Sequence, residues 1–366
     1  MKKTDNVVKE PLIHITKRSS LSWKQAILIR VIAVLCALIV TAIVIMVLAK
    51  ENPIQIYSSM ISGAFGTPRR IWNLMNGTCV LLGIALAVTP AFRMKFWNCG
   101  AEGQTLIGGL TAAACMLYFG SSLPLPVLFL VMIIASVLAG AIWGVIPAIF
   151  KALFGTNETL FTLMMNYIAI QLINFCLKIW AKDGSGTLPT MPQYRFPKVL
   201  GQEYLLTIIV FLIICAIMYV YLRYSKHGYE ISVVGESENT AKYIGINVKK
   251  VIIRTMIVSG ALCGLVGLLL VANGSCTISN DIVGGQGFTA IMVSWLAKFN
   301  PVFMILTSFL LIFLQCGTNQ ISTDFRLDTS ICDIITAIIL FFIIGCEFFA
   351  NYKIHFRKKV KEENAK

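Results

Sequence analysis

Ten long apolar runs, set off by charge clusters or by turns rich in glycine and proline, constrain this 366-residue chain more than any other feature. A helix needs about 20 apolar residues to cross the ~30 Å hydrocarbon core of a bilayer. Only helices and closed barrels satisfy every backbone polar group there. Short alternating segments, the mark of a transmembrane β-barrel, are absent. Composition agrees: 57% of residues are apolar, only 13% are charged, and the mean hydropathy is +0.79. A soluble domain carries about a quarter charged residues. The expected fold class is therefore all-α, a polytopic transmembrane helical bundle of about ten spans.

The expected spans are 27–49, 73–92, 98–119, 126–149, 158–180, 204–222, 251–272, 285–298, 301–317 and 331–350. The eighth is too short to cross straight, so it is either half of a broken helix or an extended, tilted one. The first follows Lys17, Arg18 and Lys24 and holds Arg30 near its start, a basic flank such as a signal peptide has. At 23 residues the run exceeds the usual 7–15-residue signal core, and no small-x-small cleavage site follows. It reads as a retained helix. The chain thus divides into a basic tail over 1–26, a transmembrane domain over 27–350 and a second basic tail over 351–366.

Charge sets the orientation. With ten spans and both termini in the cytoplasm, 23 of the 31 Lys and Arg residues fall on the cytoplasmic side, as the positive-inside rule requires. The net charge of +14 is explained in this way without nucleic acid as a partner. One long loop, 181–203, lies outside and holds Gly184, Ser185, Gly186, Pro189, Pro192 and Pro197, so it is expected to be irregular or re-entrant. The other, 223–250, lies inside; its middle, Ser237–Ile244, is expected to form about two helical turns closed by Gly245.

The segment FWNCGAEGQTLIGG (96–109) places Asn98, Gly100, Glu102, Gly103 and Gln104 at the opening of an apolar helix. A charge in mid-membrane costs roughly 3 kcal/mol and normally faces protein or a water-filled cavity. These groups either line a solute path or cap a helix N-terminus, where a carboxylate is favoured. Span five carries Thr162, Asn166, Gln171 and Asn174. Thr162, Asn166 and Asn174 fall within about 120° of one another on a helix of 3.6 residues per turn. Such a stripe suits either a polar pore or interhelical hydrogen bonds. Gly284, Gly285, Gln286, Gly287 and Phe288 open the eighth span as a weak echo of 98–104, five helices on and therefore inverted. Inverted repeats with glycine-broken helices are a common transporter plan. Ser136, Gly140 and Gly144, and Gly260, Gly264 and Gly267, read as stripes for close helix packing.

No phosphate loop of the form GxxxxGK[ST], no HExxH and no GxSxG occurs. The chain therefore cannot hydrolyse ATP by the P-loop route. Eleven cysteines without a CxxC pair, nearly all in apolar spans, and three scattered histidines argue against a metal site. No cofactor is expected.

FWNCGAEGQTLIGG, then 139–169, then GYEISVVGESENTAKYIGINVKK (228–250) running on to 267, then GFTAIMVSWLAKFNP (287–301) together resemble the permease subunits of ABC importers for nucleosides and simple sugars. The nearest subgroup is that of nucleoside permeases served by basic-membrane-type lipoproteins, and the likeness runs in order over most of 55–350. The resemblance implies a type II-like importer fold and no enzymatic activity in this subunit. It also implies three partners: a second permease, a cytoplasmic ABC ATPase, and an extracellular substrate-binding lipoprotein. Membrane lipid surrounds the assembly. The substrate pathway it implies comprises Asn98, Gly100, Glu102, Gln104, Thr162, Asn166, Asn174, Gln286, Gly287 and Phe288. The ATPase-coupling segment it implies comprises Gly235, Glu236, Asn239, Ala241, Tyr243, Gly245 and Ile246. Cys99 and the run Trp295, Ala297, Lys298 depart from the usual pattern.

Two rivals stand beside this expectation. A secondary transporter driven by an ion gradient needs buried ionisable groups as a relay, for which only Glu102 and Asp333 offer themselves. A polytopic membrane enzyme needs clustered Asp, His or Lys on one face, and the sequence has none.

Overall fold

The structure, a computed structural model, describes residues 13–17, 23–181 and 187–356. The expected Gly184–Gly186 turn, much of the N-terminal tail and the end of the C-terminal tail lie outside the described residues. In chain order the elements are β1 (Ile13–Lys17), α1 (Trp23–Val44, continued as a π-helical turn to Ala49), α2 (Pro53–Phe65), α3 (Pro68–Arg93), α4 (Ala101–Phe119), α5 (Leu125–Phe154) and α6 (Glu158–Trp180). There follow α7 (Leu205–Tyr224), α8 (Lys226–Glu236), α9 (Glu238–Tyr243), α10 (Val248–Leu269, continued as a π-helical turn to Ser275), α11 (Gln286–Leu296), α12 (Pro301–Phe325), α13 (Thr329–Asn351) and β2 (Tyr352–Phe356). Six of the described helices, α3, α5, α6, α7, α10 with its extension and α12, are long and apolar enough to cross a membrane.

Local chemistry fixes the ends. The α3 helix begins with Pro68 behind Thr67, whose hydroxyl accepts from the Arg70 N–H at 3.3 Å. Asn157 caps α6 through Leu160 at 3.2 Å, and Gly155, at φ +66°, ends α5. The expected 158–180 span coincides with α6. The expected second span begins later than α3 does, and α2 and α8 lie outside every expected helix. Eleven residues make α11 roughly 16 Å long at 1.5 Å per residue, about half a hydrocarbon core. It is a half-span behind the irregular segment 276–285.

The chain falls into two compact units, one formed by the residues up to Gly63 with those from Leu314 onward, the other by Ala64–Phe313. In the first, α1 packs along α13, and β1 pairs antiparallel with β2, Ile15 opposite Ile354. Ser59 donates to the Asp324 carboxylate at 2.5 Å. In the second, α10 is the central helix and packs on α3, α4 and α5. Small residues allow this. A Cβ on Gly264 would collide with the Ser136 carbonyl of α5, one on Gly108 would lie 2.5 Å from Gly264, and one on Gly267 would strike the Thr105 carbonyl. The backbones of α4, α5 and α10 are therefore in direct contact, as the glycine stripes predict.

Candidate functional site: two stapled helix openings and a helical foot

The chain between α3 and α4 is irregular, so the α4 N-terminus has backbone N–H groups that need partners inside the protein. Neighbouring side chains supply them. Thr162 Oγ1 accepts from Cys99 N at 3.2 Å, and Asn166 Oδ1 accepts from Gly103 N at 2.9 Å. Asn166 Nδ2 donates back to the Cys99 carbonyl at 2.8 Å. Asn98 Oδ1 accepts from Gly100 N at 3.1 Å and from Gln104 Nε2 at 3.2 Å, while Asn98 Nδ2 donates to Ser259 Oγ on α10 at 3.1 Å. All five polar side chains in this network are buried.

Glu102, in the first turn of α4, staples a second opening. Its carboxylate accepts from Gly285 N at 2.9 Å and from Gly287 N at 2.7 Å, and the residue is only 8% exposed. These are the first donors of α11, so Glu102 does from another helix what an N-cap residue does from its own. Glycines make the approach possible. Gly284 and Gly285 turn the chain at φ +59° and +74°, and a Cβ on Gly287 would lie 2.5 Å from the Glu102 nitrogen. The back of α11 is fixed to α3 by Ser294, which donates to the Ala85 carbonyl at 3.0 Å and meets Thr89 at 3.2 Å.

Of the implied pathway residues, Gln286 opens α11 with its Oε1 buried and without a hydrogen-bond partner among the described residues. The other nine separate into two groups. Asn98, Gly100, Glu102, Gln104, Thr162, Asn166 and Gly287 meet in one buried framework. Asn174 does not join it: the buried face of α6 runs through Thr162, Asn166, Ala169, Ile173 and Leu177, and Asn174 bonds to Gln171 on the same helix at 3.4 Å. Phe288 lies on the outer face of α11, 45% exposed, in line with Met292 and with Trp295 at 50%. Trp97 stacks on Trp295 with ring centroids 5.7 Å apart. Met292, Trp97 and the Asn98 partner Ser259 were not among the residues expected from sequence. An aromatic at every third or fourth position of an apolar helix looks the same whether it faces lipid, protein or solute.

Against the α3–α4 connection, beside the α4 opening, stands the segment 225–247. Ser225 caps α8 through Gly228 at 2.9 Å, and Ser237 caps α9 through Thr240 at 3.2 Å. The C-terminus of α9 closes with Ile246 N donating to the Ala241 carbonyl at 2.9 Å and Gly245 N to the Lys242 carbonyl at 3.1 Å. This is a Schellman closure, with Gly245 left-handed at φ +84°. It matches the expected turn over Ser237–Ile244. Ile231, Val234, Ala241 and Ile246 pack into a cluster with Ala91, Met94 and Phe96 at the α3–α4 connection and with Ala148 and Met256. A Cβ on Gly235 would strike the Arg93 carbonyl. Tyr243 projects outward, 92% exposed, with Glu236, Asn239 and Ile244 also exposed. His227 is buried against Tyr221 and Thr255. Burial pushes its imidazole below its ordinary range, and the nearby Arg254 acts in the same direction although Glu230 opposes it.

On the opposite side, the loop before α7 folds over the end of α10. Phe196 N donates to the Ala272 carbonyl at 3.2 Å and Met191 N to that of Cys276 at 2.8 Å. Arg195 donates to the Asn273 carbonyl at 2.9 Å and pairs with Glu203 at 3.0 Å. Hydrogen bonding from Lys198 first, then the Arg195 charge, holds the Glu203 carboxyl below its ordinary value. Among the described residues no group of three His, Cys, Asp or Glu side chains stands together as a metal site.

A multi-pass helical bundle with a stapled half-helix and a separate helical foot suits a transport subunit. Residues 70–344 match the family described as the permease component of branched-chain amino acid transport systems, and the chain belongs to that family. It is similar to the guanosine ABC transporter permease protein NupP of Bacillus subtilis, at 30% identity over 93% of this chain and 98% of that protein. It is also similar to the nucleoside ABC transporter permease protein NupB of Lactococcus lactis, at 27% identity over 93% and 96%, and to the glucose ABC transporter permease protein TsgB13 of Haloferax volcanii, at 25% identity over 88% of each. No solved structure matches. The chain is a multi-pass membrane protein and the permease subunit of an ABC importer; it works with a second permease subunit, and ATP hydrolysis belongs to a partner protein.

Proposed function

We propose that this permease passes nucleosides into the cell by alternating access, fed by an extracellular substrate-binding lipoprotein and driven through the foot formed by α8 and α9. The observation that carries the cargo is the half-helix α11: Glu102 holds its opening, and Phe288, Met292 and Trp295 with Trp97 leave an aromatic face uncovered. Aromatic faces hold nucleobases by stacking worth about 1–3 kcal/mol each. The printed names of NupP and NupB point the same way. A simple sugar is the second choice, on the name of TsgB13. The ion-gradient alternative finds no support at Glu102, whose two carboxylate oxygens are both engaged by backbone donors.

In this account ten spans cross the membrane, 27–350 is the transmembrane domain, and both tails are cytoplasmic. Pairing of β1 with β2 supports an even number of spans, because it joins the outer ends of α1 and α13. The basic count supports the cytoplasm as their side. An inverted relation between α4 and α11 is supported by their shared plan: each opens at glycines and is stapled by a side chain from another helix. The foot is the ATPase dock, with Gly235, Ala241 and Ile246 seating it and Glu236, Asn239 and Tyr243 facing the partner. A push there reaches Met94 and Phe96, next to Asn98, through continuous packing.

Gly245→Val tests this docking. Nothing lies within 4 Å of a Cβ at Gly245, so the substitution acts only through the left-handed backbone, at a cost of about 1–2 kcal/mol. Nucleoside-stimulated ATP hydrolysis by the reconstituted complex is expected to fall severalfold, with solute capture by the lipoprotein unchanged. Full stimulation and full co-purification of the ATPase with this variant would move the dock elsewhere.

A further inference from the structure

We propose that a pocket between the ends of α3 and α7 and the turn joining α11 to α12 binds a phosphate-bearing anion, and that its occupant is the headgroup of an anionic glycerophospholipid. The cavity holds about 330 Å³, and three cations line it, Arg93, Arg223 and Lys298, with Tyr219, Asn300 and Pro301; no carboxylate lines it. The three cations come from the last turns of α3 and α7 and from the α11–α12 turn, and in sequence they do no more than add to the basic count. Arg93 Nη1 donates to the Leu222 carbonyl at 3.2 Å, which fixes the guanidinium and leaves further N–H donors of its five. Arg223 is held by Tyr219, to whose hydroxyl it donates at 2.7 Å, and lies 5.8 Å from the Tyr219 and Tyr224 ring centroids. Lys298 and Phe299 both stand in the left-handed region, at φ 52° and 58°, where residues other than glycine are uncommon.

Like charges gathered without an acid at the pocket wall attract an anion, and phosphate suits arginine's fork of donors. What favours a lipid over free phosphate is the pocket's surroundings. Val220, next to Tyr219 on α7, and Val302 and Phe303, next to Pro301 on α12, are exposed, an apolar flank for acyl chains. Basic pockets at the cytoplasmic ends of membrane helices hold anionic headgroups in this way. The proposal rests on the membrane placement given above for its leaflet, whereas its test reads bound lipid directly and needs neither transport nor a partner.

Native mass spectrometry of the purified, delipidated full chain, titrated in turn with dioleoylphosphatidylglycerol, dioleoylphosphatidylcholine and inorganic phosphate, provides that test. One phosphatidylglycerol is expected to be retained about tenfold more tightly than phosphatidylcholine. The double variant R223Q/K298Q is expected to abolish the preference, while Arg223→Lys, which keeps the charge, retains most of it. Equal retention of the two lipids, or a preference untouched in the double variant, overturns the site. Displacement of phosphatidylglycerol by millimolar inorganic phosphate overturns the lipid as occupant.

Discussion

Glu102→Ala is expected to cut solute uptake at least tenfold while leaving the protein in the membrane. The carboxylate is buried and accepts from Gly285 N and Gly287 N at 2.9 and 2.7 Å. Removing it strands two donors at the opening of α11, at about 1–3 kcal/mol for each buried group left unpaired. An eleven-residue helix cannot absorb that loss by its own cooperativity, so its first turn should fray and carry Phe288 out of place. The bundle itself rests on α10 and its glycine contacts, which the substitution does not touch. Glu102→Gln separates charge from shape: its amide offers one oxygen for two donors, and its NH2 would face one of the glycine N–H groups. It should recover only part of the activity. Uptake per unit of membrane-inserted protein is the measurement, and a wild-type rate in the alanine variant would remove Glu102 from any gating or positioning role.

Gly264→Leu is expected to abolish accumulation of folded protein. A Cβ there collides with the Ser136 carbonyl on α5 and comes close to Gly140. A leucine would therefore have to separate two backbones rather than displace a side chain. Overpacking of this kind costs about 3 kcal/mol or more where nothing can yield, a large share of a marginal stability. Gly345→Leu is the control, since nothing lies within 4 Å of a Cβ on Gly345. Monodisperse protein recovered after mild detergent extraction should vanish for the first and stay near wild type for the second. Comparable recovery of both would mean that α5 and α10 do not meet through these glycines.

How much of this was legible beforehand follows the nature of each signal. Apolar length and capping residues act locally, so α6 could be bounded by Asn157 and Trp180, and the turn closed by Gly245 could be read from a glycine after two helical turns. The α2 and α8 helices escaped because they are short and mix polar with apolar residues, a pattern shared by loops. At the site, 98–104 stood out because polar groups are conspicuous in an apolar helix. Their partners did not. Glu102 is met by backbone N–H groups more than 180 residues away, and a backbone donor leaves no side-chain signature beyond the glycines that let it approach. Helical-wheel geometry grouped Asn174 with Thr162 and Asn166, but the buried arc of α6 follows Ala169, Ile173 and Leu177 and leaves Asn174 half-exposed. Periodicity gives angles between residues on one helix; it does not say which angle faces the bundle.

The central claim is that this chain carries nucleosides inward and draws its energy from a partner ATPase. Its most direct test is radiolabelled nucleoside uptake by cells that lack the chain, carry it, or carry it beside an ATPase whose nucleotide site has been inactivated. The account predicts saturable uptake only when the chain and the active ATPase are both present, with glucose competing poorly. Uptake that persists with the inactive ATPase and collapses when the ion gradient is dissipated would contradict it.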